Sequence, residues 1–160
     1  MEPDAWKPQF EIREDDLTGS AVRSLLAIHL AGMHANSPPG SVYALDLSRL
    51  QAPNVTVWTV WQGETLMAVG ALKDLGDGTG ELKSMRTHPE QLRKGAASAL
   101  LDHIIAEARA RGMTKLSLET GSGPYFDAAL TLYRKRGFVN GAAFGSYVQS
   151  PFNQFLHLNL

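Results

Sequence analysis

No cysteine occurs among the 160 residues. Disulfides, thiolate metal sites and a cysteine nucleophile are excluded together, and a cytoplasmic location is expected. Charge of one sign is lacking too. Fifteen Lys and Arg stand against 16 Asp and Glu, a net charge of −1, so the basic footprint of a nucleic-acid partner is not expected. No apolar run approaches the roughly 18 residues of a membrane helix. The opening Met1-Glu2-Pro3-Asp4-Ala5-Trp6-Lys7 carries acids and a proline where a signal peptide carries cations and then an apolar stretch. No membrane association is expected. Repeats of fixed period and low-complexity tracts are absent. The histidines are scattered, and His29 and His34 lie five apart, off the common helix face that i, i+4 ligands share. No metal site is expected.

Apolar residues make up 44% and charged residues 19%, enough for a packed core and too apolar for disorder. The length predicts a single domain over 1–160. Residues 10–13 read as a short strand. From Ser20, Val22, Leu25, Leu26, His29 and Met33 recur at helical spacing, and the pattern stops at Ser37-Pro38-Pro39-Gly40. A short helix is predicted over 46–50. Strands follow over 55–61, 66–75 and 81–87, with turns at Gln62-Gly63-Glu64 and Gly76-Asp77-Gly78, which makes an antiparallel meander.

The second half changes character. Ala97, Leu100, Leu101, Ile104, Ile105 and Ala108 mark a helical stripe that ends at Gly112. A strand is predicted over 115–120 and a helix over about 124–136, with Arg134, Lys135 and Arg136 complementing its negative end before Gly137. Two further strands are predicted over 144–149 and 154–160. A strand–helix–strand unit joined to a meander gives an α/β (α+β) fold with a mixed sheet.

Two segments carry chemistry. Leu92-Arg93-Lys94-Gly95-Ala96-Ala97-Ser98 lies between a strand and the strongest helix. A turn of small residues at a helix start exposes unpaired backbone N–H groups at the positive end of the helix dipole, which suits phosphate or pyrophosphate. An ordinary connection with a solvated basic pair is the plainer reading of the same residues. The segment is neither a Walker loop nor a dinucleotide fingerprint. In the second segment, 129–138, Tyr133 shares the apolar helix side with Phe126, Ala129 and Leu130, where a half-buried core tyrosine is the plainer reading. Gly121-Ser122-Gly123 lacks the strand–turn context of a serine nucleophile.

Together these segments resemble the GNAT superfamily of N-acetyltransferases over about 79–138. The family opens its long helix with Arg/Gln-x-x-Gly-x-Gly/Ala. Here Gly95 and Ala97 match, Leu92 departs from Arg/Gln, and Arg93 is displaced by one. The later pattern, Ala-x-x-x-Tyr-x-x-x-Gly-Phe, is complete in Ala129, Tyr133, Gly137 and Phe138. The resemblance implies a mostly antiparallel central sheet with one splayed parallel strand pair and helices on both faces. It implies acetyl-CoA as acyl donor. Met85, Arg86 and Thr87 would hold the thioester and pantetheine through backbone amides. Arg93, Lys94, Gly95, Ala96, Ala97 and Ser98 would hold the pyrophosphate. Tyr133 would protonate the leaving thiolate, as a phenol with a pKa of about 10 can.

The acceptor is expected to be a primary amine of a small molecule or protein, attacking directly. Such an amine needs a base. Glu119, on the second splayed strand, and Glu81, four residues before Met85 and by strand period on its face, are the candidates, with a water relay as the third route. Acceptor contacts are expected from His34, Tyr43 and Asp46. A module that binds coenzyme A and regulates without turnover is the alternative. The β-rich tail could pair between two copies of the chain, so a homodimer is an expectation.

Overall fold

The computed structural model describes residues 9–40 and 47–160. The strands are β1 (Glu11–Glu14), β2 (Val55–Gln62), β3 (Thr65–Asp74), β4 (Thr79–Thr87), β5 (Lys115–Thr120), β6 (Val139–Asn140) and β7 (Gln154–Asn159). They form one sheet in the order β1-β2-β3-β4-β5-β7-β6. The helices are α1 (Ser20–Ala35), α2 (Leu47–Leu50), α3 (Ala96–Ala110) and α4 (Asp127–Lys135). Among the described residues no helix is long and apolar enough to cross a membrane.

The meander β1-β2-β3-β4 is antiparallel throughout. Its turns follow from local chemistry. Gly63 adopts φ +59° between β2 and β3, as a tight hairpin requires. Between β3 and β4, the Asp74 and Asp77 carboxylates accept hydrogen bonds from the Gly76 and Thr79 amides. The crossover through α3 makes β4 and β5 parallel, but they pair only from Thr79–Lys115 to Glu81–Ser117. Beyond that point the two strands diverge, leaving a V whose inner edges lack ladder partners. β7 then pairs antiparallel with all of β5.

Each face of the sheet carries its own apolar layer. On one side, Val22 and Leu25 of α1 pack with Val57, Val69 and Ala71. On the other, the α3 stripe of Ala96, Leu100, Leu101, Ile104, Ile105 and Ala108 packs with Leu72, Leu82 and Leu116, and α4 joins through Leu130 and Tyr133. Full burial of a Leu or Ile side chain contributes about 1.5–3 kcal/mol, so the four large α3 side chains alone fix this helix to the sheet.

Two expectations are corrected. Residues 144–149 form no strand; the short β6 lies earlier, at Val139–Asn140. Phe144 instead stacks edge-on against Phe155 and His157. His157 ties the same segment down, its Nε2 donating to the Ala142 carbonyl at 2.8 Å while Nδ1 accepts from Ser117 Oγ at 2.7 Å. Side-chain packing onto β7 replaces ladder pairing, and Tyr147 is directed inward.

The second correction concerns β4. The register against β3 runs Val69–Arg86 and then Ala71–Lys83, so β4 holds one extra residue at the mouth of the V. Ser84 takes φ +58° there, the geometry of a β-bulge. The bulge breaks strand alternation: Met85 turns toward Leu100 and Ile104 of α3, meeting them near Gly70, while Arg86 turns toward α1. Glu81 and Met85 therefore lie on opposite faces. Glu81, Lys83 and Arg86 share the α1 face, at a spacing a regular strand would not allow.

Candidate active site

Two cavities open into the V and meet at one wall. The first, about 130 Å³, is lined by Glu81, Lys83, Ser84, Glu119 and Tyr147, with His29 and Met33 from α1. The second, about 430 Å³, runs along Val69, Thr87, Leu92, Arg93, Ala97 and Leu132. Met85, Arg86, Tyr125, Ala129 and Tyr133 line both.

In the larger cavity, the turn before α3 holds Arg93 at φ +62° and Gly95 at φ +87°. Among the described residues no side chain caps α3. Its first turn closes only with the Ala99 amide on the Gly95 carbonyl, at 3.0 Å. The preceding amides thus point outward at the positive end of a 15-residue helix, an arrangement suited to a diphosphate. Lys94 turns to Gln91, 2.8 Å away, whereas Arg93 lines the cavity. Ala96 contributes backbone only, its side chain being buried.

The smaller cavity contains two carboxylates in different states. Glu81 is 3% exposed. It pairs with Lys83 Nζ at 3.0 Å and accepts a hydrogen bond from the Tyr147 hydroxyl. Lys83 also reaches the Tyr147 oxygen, at 2.6 Å, so the triad is closed on itself. Glu119 has no such ion pair among the described residues. Burial pushes its carboxyl up to about 7; Lys83 and Asn153 pull the other way, and Glu81 adds to the rise. It therefore exchanges a proton near neutrality.

Tyr133 stands where the cavities meet and is 7% exposed. Its ring packs on Phe138, and its hydroxyl has no hydrogen-bond partner among the described residues. Burial raises the phenol above its ordinary range, against a smaller opposing pull from Arg86, so it stays protonated and able to donate.

Arg86 crosses the mouth of the V. Its Nε donates to His29 Nδ1 at 3.0 Å, its Nη2 donates to the Tyr125 hydroxyl, and the guanidinium lies 5.3 Å from the Tyr125 ring centre. His29 is buried, which with the Arg86 charge lowers its pKa to about 4; it is neutral at physiological pH. Gly32 of α1 faces this pair with no room for a Cβ against the Tyr125 hydroxyl.

The fold thus brings together Tyr133, Glu119 and Glu81, with Met85, Arg86 and Thr87 on one wall and residues 93–98 at the far end. His34 is exposed in the last turn of α1 and does not line the cavity; His29 and Met33 of the same helix do. Tyr43 and Asp46 lie outside the described residues. Sequence reasoning missed Lys83, Tyr147, Tyr125 and the Arg86 side chain. Lys83 had a signal, the i, i+2 spacing from Glu81 on one strand. The others depend on the bulge and on two loops that no local pattern announces.

The family model described as "Acetyltransferase (GNAT) family" matches residues 22–138. The uncharacterized N-acetyltransferase YedL of Escherichia coli (strain K12) is 50% identical over 151 residues, 94% of this chain and 95% of its own. A crystal structure assigned as an acyl-CoA N-acyltransferase from Klebsiella pneumoniae superposes with a TM-score of 0.81 at 26% identity, covering 96% of this chain and 99% of that one. A Bacillus subtilis acetyltransferase solved in complex with CoA shares the fold, with a TM-score of 0.71 at 21% identity over 95% of this chain and 99% of that one.

Proposed function

The chain belongs to the GNAT family of acetyltransferases, and from that membership we propose that it moves an acetyl group from acetyl-CoA to a primary amine by direct attack, with Tyr133 as acid and Glu119 as base. The observation that carries the reading is the Tyr133 hydroxyl, unpartnered among the described residues, at the junction of a cavity ending in free helix amides and a cavity holding a carboxylate that titrates near 7.

The amides of residues 93–98, with Arg93, bind the pyrophosphate. The unpaired edge of β4 at Met85, Arg86 and Thr87 binds pantetheine and the thioester carbonyl. The donor supplies an acyl carbon activated by its thioester. An alkylammonium must lose a proton before it attacks. Glu119 takes that proton, the C–N bond forms, the C–S bond breaks and Tyr133 gives its hydroxyl proton to the departing sulfur; the second proton on the acylated nitrogen then passes through water to the Tyr133 oxygen, and Glu119 releases its own to solvent. Glu81 holds Lys83 and Tyr147 in place and does not exchange protons with the amine. Its salt bridge would have to break first.

The test is thiol release from acetyl-CoA with an amine panel; without cysteine in the chain, a thiol reagent reads product alone. Tyr133→Phe keeps the ring packing and removes the proton. Loss of a general acid costs about 100-fold or more, so kcat should fall by that order while acetyl-CoA still raises Tm. Wild-type turnover in this variant, with chemistry rate-limiting, would return Tyr133 to the core.

A further inference from the structure

Resting on that reading, we propose that the acceptor is a small amino carboxylate, its amine directed to Glu119 and its carboxylate held by the Arg86 guanidinium. The charges around the smaller cavity lead there. It is lined by two cations, Lys83 and Arg86, and two carboxylates, Glu81 and Glu119. Lys83 and Glu81 neutralise each other at 3.0 Å. Glu119 and Arg86 are left, one of each sign, neither in an ion pair among the described residues. A ligand with one amine and one carboxylate complements both.

The partners of Arg86 point the same way. The guanidinium fork suits two parallel N–H···O bonds to one carboxylate. Here Nε is fixed by a neutral imidazole and Nη2 touches a neutral phenol. His29 thus orients the guanidinium without cancelling its charge. Tyr125, 38% exposed, is a partner that an incoming carboxylate can displace. Because the bulge at Ser84 turns Arg86 onto the face of Glu81 and Lys83, the charge faces the cavity instead of the core beneath α3. Size agrees: about 130 Å³ is close to the roughly 150 Å³ that takes a benzene ring, enough for the amine, carboxylate and intervening carbons of an amino acid.

The experiment compares matched acceptors in the thiol-release assay: α- and ω-amino acids, their carboxamides, and the corresponding amines without the carboxyl carbon. For the best acceptor, kcat/KM should exceed that of its carboxamide by about tenfold or more, with the difference in acceptor KM. Arg86→Gln should bring that ratio to about one whatever it does to absolute rate, and Arg86→Lys should restore part of it. Equal turnover of acids, amides and bare amines overturns this inference alone. So does a preference that survives in Arg86→Gln. Thiol release with none of them overturns it, and failure of peptide amines as well overturns the acetyl-transfer reading beneath it.

Discussion

Replacing each of the two site carboxylates by glutamine should move stability in opposite directions. An unfolded glutamate titrates near 4.5, whereas folded Glu119 holds its proton up to about 7. Between those values the native state binds more protons than the unfolded state, so stability falls as pH rises through the window and the whole cost is present above pH 7. At 1.36 kcal/mol per pH unit the full cost is about 3 kcal/mol; the partial solvent contact of Glu119 reduces it to about 1–2 kcal/mol. Glu119→Gln escapes it. The variant should melt roughly 2–8 °C above wild type at pH 8, and the gap should close toward pH 4. Glu81→Gln leaves Lys83 buried without its counter-charge and should lose about 3 kcal/mol. Thermal melts of the three proteins at pH 4, 6 and 8 decide the matter. A Glu119→Gln protein no more stable than wild type at pH 8, or a gap independent of pH, would refute the reasoning. The same variants report on the base. The acidic limb of kcat/KM, centred near pH 7, should vanish with Glu119→Gln and persist with Glu81→Gln.

Other outcomes follow from the same geometry. Gly95→Val forces a β-branched residue to φ +87°, so it should cost at least about 1–2 kcal/mol and abolish the Tm rise given by acetyl-CoA; calorimetry on both proteins checks it. Gly32→Ala gains about 1 kcal/mol of helix propensity but pushes the Tyr125 hydroxyl off Arg86. Tm should hardly move while acceptor KM changes, as steady-state kinetics would record.

Much of the architecture was legible because its signals are local. The α3 stripe, the β-branched run of β2 and the glycine turns each specify their element without help from distant residues. Tyr133 and the 93–98 turn were legible for the same reason: helix spacing and small residues at a helix start determine their placement. The smaller cavity was not. Its chemistry depends on an extra residue in β4, which period-2 counting cannot foresee, and on Tyr147 arriving from a segment whose aromatic content resembles a strand. Glu81 and Glu119 could be named from sequence but not told apart. What separates them is Lys83, and whether a lysine lies near one carboxylate or the other is a tertiary fact.

Ser84 bears a left-handed backbone and a buried hydroxyl without a partner among the described residues, so on stability alone it is a residue the chain would do better without. Deleting it would restore regular pairing with β3 and relieve both defects. It would leave everything downstream in place: Lys83, Met85 and Arg86 would alternate regularly opposite Ala71, Gly70 and Val69, with Met85 still toward α3 and Arg86 still toward α1. A strand one residue shorter can thus present the same side chains to the same faces, and an alignment that runs the two strands in step without a gap would assign every residue on one side of the bulge to the wrong face.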